Sequence, residues 1–176
     1  RENVTKYAQE AFALKGDFAE LGVYEGRTAE AICKVKGSRP LHLFDTFAGL
    51  PKNMFHRIDT STSFAKKYIS EGMYSCSLET VQKRLENYPQ VYYYKGIFHE
   101  TAKTLKARFC FVHLDADLYA STFNGIKFFY PKLTKNGLLL IHNYDDFEGV
   151  RLAIYTFFVK HQIERVGWKH CLIKKR

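Results

Sequence analysis

Short apolar runs alternate with amphipathic stretches along this chain. Residues 2–14 place Val4, Tyr7, Ala8, Ala11 and Phe12 on one face at helical spacing. Phe18–Val23, Leu41–Phe44, Val91–Tyr94, Phe109–Leu114 and Leu138–Ile141 are compact, mostly apolar and bounded by glycines or acids. Runs of that kind read as strands buried on both faces. Between them, Thr28–Val35, Leu78–Leu85, Tyr119–Leu133 and Val150–His161 carry helical spacing. The alternation predicts βαβ units around a parallel sheet. Near the end, Ile163–Val166 and Lys169–Ile173 read as two short strands joined through Gly167 in an antiparallel hairpin. One stretch breaks the rhythm. Ala48–Met73 turns at Gly49-Leu50-Pro51, carries Thr60-Ser61-Thr62-Ser63, and offers only a short helix at Phe64–Ile69. It reads as an insertion over a cleft, a lid. Residues 1–176 show no repeat or low-complexity tract, so a single domain is expected.

Composition narrows the class. A chain of 176 residues, 46% hydrophobic and 16% aromatic, fits one globular core. A domain of this size buries roughly 70% of its unfolded surface. No apolar run approaches the ~20 residues a membrane span needs, and no leader pattern is visible. The first residue is Arg1 rather than Met, as in a trimmed chain. Cys33, Cys76, Cys110 and Cys171 are widely spaced, with no C-x-x-C pair. Reduced, mostly buried thiols in a cytoplasmic protein are expected. The formal charge of +9 raises the question of nucleic acid. Most cations, however, fall where helices are expected to end, as at Lys34 and Lys36, Lys66 and Lys67, or Lys83 and Arg84. Cations favour helix C-termini, so a solvated surface is the preferred reading and a nucleic-acid face the lesser one.

The chemistry gathers at the expected strand ends. Glu20-Leu21-Gly22-Val23-Tyr24-Glu25-Gly26 is a glycine turn between the first strand and the first crossover helix, which opens near Thr28. Asp45 ends the second strand about 20 residues after the glycines, the spacing of a ribose-binding carboxylate. A pyrophosphate would avoid Glu20 and Glu25, whereas the ammonium and sulfonium of S-adenosylmethionine would not. The loop therefore leans to S-adenosylmethionine; a dinucleotide or a ligand-free glycine turn are the alternatives. Asp45-Thr46, Gly96-Ile97-Phe98, Asp115-Ala116-Asp117 and His142-Asn143 lie at the other strand ends. Asp117 is expected to cap the helix that follows. His113, inside its strand, reads as a packed core histidine, and His99 as either a neighbour of the adenine or an idle loop residue.

Four segments carry a resemblance. They are Phe18–Thr28, Leu43-Phe44-Asp45-Thr46-Phe47-Ala48-Gly49-Leu50-Pro51, Lys95–Phe98, and Val112–Thr122 with its D-x-D-L-Y-x-S-T pattern. They look like the macrocin O-methyltransferase family, and Glu20–Tyr24 is also similar to the catechol O-methyltransferases. The resemblance implies a Rossmann-like class I methyltransferase fold. Its sheet is mostly parallel and seven-stranded, in order 3-2-1-4-5-7-6 with the last strand antiparallel. It implies S-adenosylmethionine held by Glu20, Gly22, Tyr24, Gly26, Thr28, Asp45, Thr46, Gly96, Ile97, Phe98 and Asp115. It also implies a small hydroxylated acceptor, a sugar or natural product. Both related groups hold a divalent cation on an Asp after the fourth strand and a pair after the fifth. Here the three positions are Asp115, His142 and Asn143. A His in place of the carboxylate weakens magnesium and suits a transition ion such as manganese better. Asp145 and Asp146, three residues on, are substitute ligands or, alternatively, a loop or helix N-terminus ahead of Val150. The catechol enzymes' lysine base falls at Leu118, so Asp115 and His142 become the catalytic candidates, with His113 behind them. Two rivals stay open: an RNA methyltransferase of the same fold, and a ligand-binding module without catalysis. Assembly as a homo-oligomer is compatible with either.

Overall fold

A computed structural model describes residues 1–176. In chain order the elements are α1 (Glu2–Ala11), β1 (Asp17–Leu21), α2 (Arg27–Lys36), β2 (Leu41–Asp45), α3 (Ser63–Tyr68), α4 (Leu78–Leu85), β3 (Val91–Lys95), α5 (Phe98–Thr101), β4 (Phe109–Leu114), α6 (Tyr119–Lys132), β5 (Leu133–Ile141), α7 (Glu148–Phe157), β6 (Glu164–Val166) and β7 (His170–Lys174). Single 3-10 turns occupy Lys52–Met54, Arg57–Thr60 and Lys160–Gln162. The strands form one sheet in the order β3-β2-β1-β4-β5-β7-β6. β7 runs antiparallel to both of its neighbours, and the remaining pairs are parallel. The order and the reversed strand are those the resemblance implied. No helix is long and apolar enough to cross a membrane.

The apolar runs are continuous because both faces of the sheet are covered. Side chains alternate across a strand. Phe18, Leu43, Phe111 and Leu140 therefore pack under α1, α2 and α4. Ala19, Leu21, Val112 and Leu114 pack on the other side with α5, α6 and α7. Phe44, stacked on Tyr94 at 4.4 Å, and Phe129, edge-on to it at 5.9 Å, join the second layer to the sheet. Each fully buried side chain of this size contributes about 1.5–3 kcal/mol. All four cysteines are free, and Cys33, Cys110 and Cys171 are buried. Lys36 departs from the expected solvated charge: it is fully buried, and its ammonium donates to the carbonyls of Gly37, Arg39 and Pro89. It ties the turn after α2 to the loop that leads into β3.

Other boundaries moved for local reasons. β5 starts at Leu133, five residues before its apolar run, because Leu133 already pairs with Phe109. The chain then bulges through Asn136 at φ +65° and rejoins the register at Phe111 and Leu138. α7 stops at Phe157 rather than His161, giving way to the turn at 160–162. α5 carries a single helical turn too short for periodicity to reveal. Residues 48–73 contain two 3-10 turns and α3, and no strand, as expected.

Gly22 is the tightest point of the architecture. It sits at φ +86°, and a Cβ there would lie 1.8 Å from the carbonyl oxygen of Asp115. Gly72 has a similar φ of +75° with nothing within 4 Å. Gly22→Ala is therefore expected to cost about 3 kcal/mol or more, and Gly72→Ala only about 1–2 kcal/mol of backbone strain. Denaturant unfolding of the two variants checks this. Equal losses would mean that strain alone, not the contact with Asp115, governs Gly22.

Candidate active site

The parallel ladder continues one residue past the strand ends. Gly22 N–H donates to the Phe44 carbonyl (3.0 Å), Gly96 N–H to Asp45 (2.9 Å), Asp115 N–H to Leu21 (2.8 Å) and His142 N–H to Leu114 (2.9 Å). These bonds draw the loops after five of the strands to one edge of the sheet. They rim a cleft of about 880 Å³. That edge is where open α/β sheets bind ligands, and the volume suits a cofactor with a small partner.

One half of the cleft is built from β1, β2 and β3. Asp45 Oδ2 accepts from the backbone N–H groups of Val23 (2.7 Å) and Tyr24 (3.0 Å), and Oδ1 from that of Phe47 (2.8 Å). The carboxylate thus braces the glycine loop, with Tyr24 held at φ +49°, while still lining the cleft. Thr46 donates its hydroxyl to the Gly49 carbonyl (2.7 Å) and lines the same wall. Gly22, Tyr24, Thr28, Gly96, Ile97 and His99 also face the cleft. Phe98 borders it, but its ring belongs to the core, edge-on to Phe44 at 5.1 Å. Two expected residues stay outside. Gly26 closes the turn at φ +76°, spends its N–H on the Val23 carbonyl (2.8 Å) and abuts Val81. Glu20 is fully buried behind the loop, with Oε1 2.7 Å from His113 Nδ1.

The Glu20–His113 pair corrects the expectation that Glu20 meets the donor. Glu20 and His113 are register partners on β1 and β4, pointing to the same face. Burial pushes the Glu20 carboxyl up from its ordinary range, against the opposing pull of His113. Glu20 Oε2 and His113 Nε2 have no hydrogen-bond partner. His113 is 5.9 Å, ring to ring, from His170, which in turn is 4.7 Å from His142. Burial, and then the neighbouring His113 and His142, push His170 down to about 3.

The other half of the cleft is built from the β4–α6 and β5–α7 loops. His142 Nδ1 lies 2.8 Å from Asp115 Oδ1, and Asn143 Nδ2 reaches both Asp115 Oδ1 (3.5 Å) and Asp117 Oδ1 (2.5 Å). Burial opposes the Asp115 charge, yet the His142 ring, with His113 and His170 behind it, holds that carboxyl below the usual range. Asp117 is the reverse: burial, then the Asp115 charge, holds its carboxyl well above. Asp117 does not cap α6, as its position before the helix suggested. It sits at φ +57° and faces the cleft, and the α6 N-terminus is capped instead by Asp59, whose Oδ1 accepts from Tyr119 N–H at 2.7 Å. Tyr74 also lines this half, its phenol pushed up to about 12 by burial and by Asp117 and Asp115, so it stays neutral.

The residues do not fit a magnesium ion. Of the three expected ligands, only Asp115 is a carboxylate, and its Oδ1 is engaged by His142. Asn143 turns its amide nitrogen, a donor, toward the carboxylates. Hard cations take oxygen ligands and favour carboxylates. Asp145 and Asp146 do not substitute, being paired with Arg165 (2.6 Å) and Lys169 (2.7 Å). No three His, Cys, Asp or Glu side chains are grouped to hold a metal.

Two basic residues of the rim are paired: Arg27 with Glu25 (2.6 Å) and Lys169 with Asp146. Asp45 and Asp115 leave the floor acidic, which suits a sulfonium and disfavours a pyrophosphate. Comparison with known proteins agrees. The sequence profile described as Macrocin-O-methyltransferase (TylF) matches residues 2–167. The chain belongs to the macrocin O-methyltransferase family. It is an S-adenosylmethionine-dependent O-methyltransferase. Among its relatives is the 8-demethyl-8-(2,3-dimethoxy-alpha-L-rhamnosyl)-tetracenomycin-C 4'-O-methyltransferase of Streptomyces olivaceus, 27% identical over 94% of this chain and 70% of the relative. Another is the mycinamicin III 3''-O-methyltransferase of Micromonospora griseorubida, 28% identical over 85% of this chain; the aligned part spans only 63% of that relative's length. The solved O-methyltransferase NovP superposes with a TM-score of 0.82 at 20% identity, covering 99% of this chain and 78% of its own.

His170 makes the family fold acid-sensitive in this chain. Its folded pKa of about 3 lies below the ordinary 6.5, so the folded state resists a proton that the unfolded chain accepts. The stabilisation is complete above about pH 6.5 and is lost as pH falls toward 3, at up to about 1.4 kcal/mol per pH unit. Urea unfolding at pH 7, 6 and 5 is expected to show this slope, and His170→Gln to flatten it. Parallel slopes in parent and variant would rule His170 out as the source.

Proposed function

We propose that this chain methylates a hydroxyl of a sugar-bearing small molecule without requiring a divalent cation. The observation that carries this reading is the His142–Asp115 pair at 2.8 Å, standing where the resemblance implied a metal, at the wall between the two halves of one cleft. Residues 1–176 are read as one catalytic domain, with 48–73 as its lid. The activities of the relatives, one on a rhamnosyl tetracenomycin and one on mycinamicin III, support the acceptor class. The free, buried thiols support a reducing, cytoplasmic setting.

S-adenosylmethionine, when bound, supplies an electrophilic methyl on sulfur; the C–S bond breaks as the C–O bond forms, leaving the thioether product. The protein's tasks are alignment and removal of the hydroxyl proton. Asp45, Thr46 and Ile97 would hold the donor's adenosine end, and the glycine loop with Asp115 would face its charged end. Asp115 fixes the His142 ring through Nδ1, which leaves Nε2 to take the acceptor's proton, the orienting logic of a carboxylate behind an imidazole. A second reading gives the proton to Asp117, favoured by its raised proton affinity within the same cleft. Phe64 and Tyr68 from the lid, with Tyr74 just after it, offer apolar faces to a sugar ring.

The test begins with calorimetry. Donor or demethylated product is expected to bind at micromolar affinity or better, about −8 kcal/mol, with Asp45→Ala weakening it by about 1–3 kcal/mol. Methyl transfer to rhamnosyl and other deoxysugar acceptors should survive chelation. His142→Ala is expected to lower kcat by about 10²–10⁴-fold with donor affinity retained. Activity restored only by magnesium would overturn the cation-independent reading. A loss confined to Asp117→Asn would move the proton to Asp117.

A further inference from the structure

The capping of α6 exposes a link between the lid and the chemistry. Asp59 lies in the 3-10 turn Arg57–Thr60, in the middle of residues 48–73, yet it is 1% exposed. Its two oxygens are both committed: Oδ1 to Tyr119 N–H and Oδ2 to His56 N–H, each at 2.7 Å. The first contact spans 60 residues of sequence and reaches the first residue of α6. The His56 ring packs on Tyr119 at 5.0 Å beside it. The second wall is α7. A Cβ on Gly149, in the first turn of α7, would lie 2.3 Å from Asp59 Oδ1 and 3.3 Å from Tyr119 Cβ. Gly149 has an ordinary helical backbone, so its small size serves only to admit this carboxylate. Asp59 is thus wedged between the first turns of α6 and α7.

Those two turns end the loops that carry Asp115 and Asp117 on one side and His142 and Asn143 on the other. The cap also releases Asp117. A carboxylate just ahead of a helix ordinarily satisfies the helix's own N–H groups. Here Leu118 is the N-cap residue and contributes no side-chain bond, so Asp117 is free to face Asn143 and the cleft.

We propose that Asp59 is a positioning residue for methyl transfer: by seating the lid between α6 and α7, it holds the two proton-handling loops in working geometry. The proposal rests on the methyl-transfer reading above. It predicts an asymmetry. Apart from Asp115, the half of the cleft that would hold the donor is built on β1, β2 and β3 and touches neither Asp59 nor Gly149. The half that faces the acceptor depends on both.

Three variants test it: Asp59→Asn, which keeps the shape and one acceptor oxygen; Asp59→Ala; and Gly149→Ala, which displaces the carboxylate without altering it. The expected result for all three is an acceptor KM raised or a kcat lowered by tenfold or more, with donor Kd within threefold of the parent. Hydrogen exchange should quicken at the Tyr119 amide and across 52–69, and not in β1–β3. The mild variant covers the case in which Asp59→Ala does not fold. Lowered thermal stability with unchanged acceptor kinetics would make Asp59 merely structural and overturn the proposal. So would a parallel loss of donor affinity. A parent inactive on every hydroxyl acceptor would instead overturn the function; the positioning claim would then fall if Tyr119 exchange is the same in parent and Asp59→Asn.

Discussion

The site depends on hydrogen bonds that carry the parallel ladder beyond its strands. A parallel ladder fixes register between neighbours but ordinarily ends where loops begin. Here Gly22, Gly96, Asp115 and His142 each donate one further bond to the strand alongside. The loops therefore leave the sheet from fixed points rather than from fraying ends. Gly22 is what permits this at the centre, because its missing Cβ is replaced by the Asp115 carbonyl. The residue that the resemblance assigned to the donor makes room for the protein's own backbone. The effect on a ligand is indirect: it brings Asp115 against the glycine loop, so that one carboxylate serves both halves of the cleft.

The sheet was legible because its signals are local. Mostly apolar runs ending in an acid or glycine gave β1–β4 to within a residue or two at each end, since both sheet faces are covered and hydrophobic pattern survives in short windows. Asp45 and Asp115 were legible for the same reason: a strand end followed by a turn advertises its carboxylate. Glu20 was misjudged because β1 carries it one residue short of the turn, on the face toward His113, where alternation buries it. Which face an end residue takes depends on the register with β4, which no local pattern states. Asp117 was misjudged for a longer-range reason. Its expected partner, the α6 N-terminus, is taken by Asp59, and nothing in the local pattern of either segment announces that exchange.

Buried charge explains the three histidines behind the site. An isolated carboxylate in the interior costs several kcal/mol unless paired. Glu20 and Asp115 stand on the same side of the sheet, and each has an imidazole in hydrogen-bond contact. His170, packed beside both rings and pushed down to about 3, stays neutral. Asn3 of α1 contacts its Nδ1 at 3.3 Å, so the first helix closes the cluster on the side away from the cleft. The basic surface of the chain and its acidic cleft are in this sense separate systems: most cations finish helices or pair at the rim, while the acids inside are matched by histidine.

That matching bears on the cation-independent chemistry proposed above. Three carboxylates after β4 and β5, with Asp117 beside them, would place four negative groups around one point, and like charges that close force either protonation or a bound ion. With His142 and Asn143 in the pair, only two carboxylates remain. The imidazole lowers the proton affinity of one, while burial and the first one's charge raise that of the other. Asn143 donates to both, so the repulsion between them is reduced by a dipole rather than by a metal. The substitution at 142 thus does two things at once. It takes away a carboxylate that magnesium favours, and it lowers the number of like charges around one point. The group proposed above as the base is also the one in hydrogen-bond contact with the remaining acid.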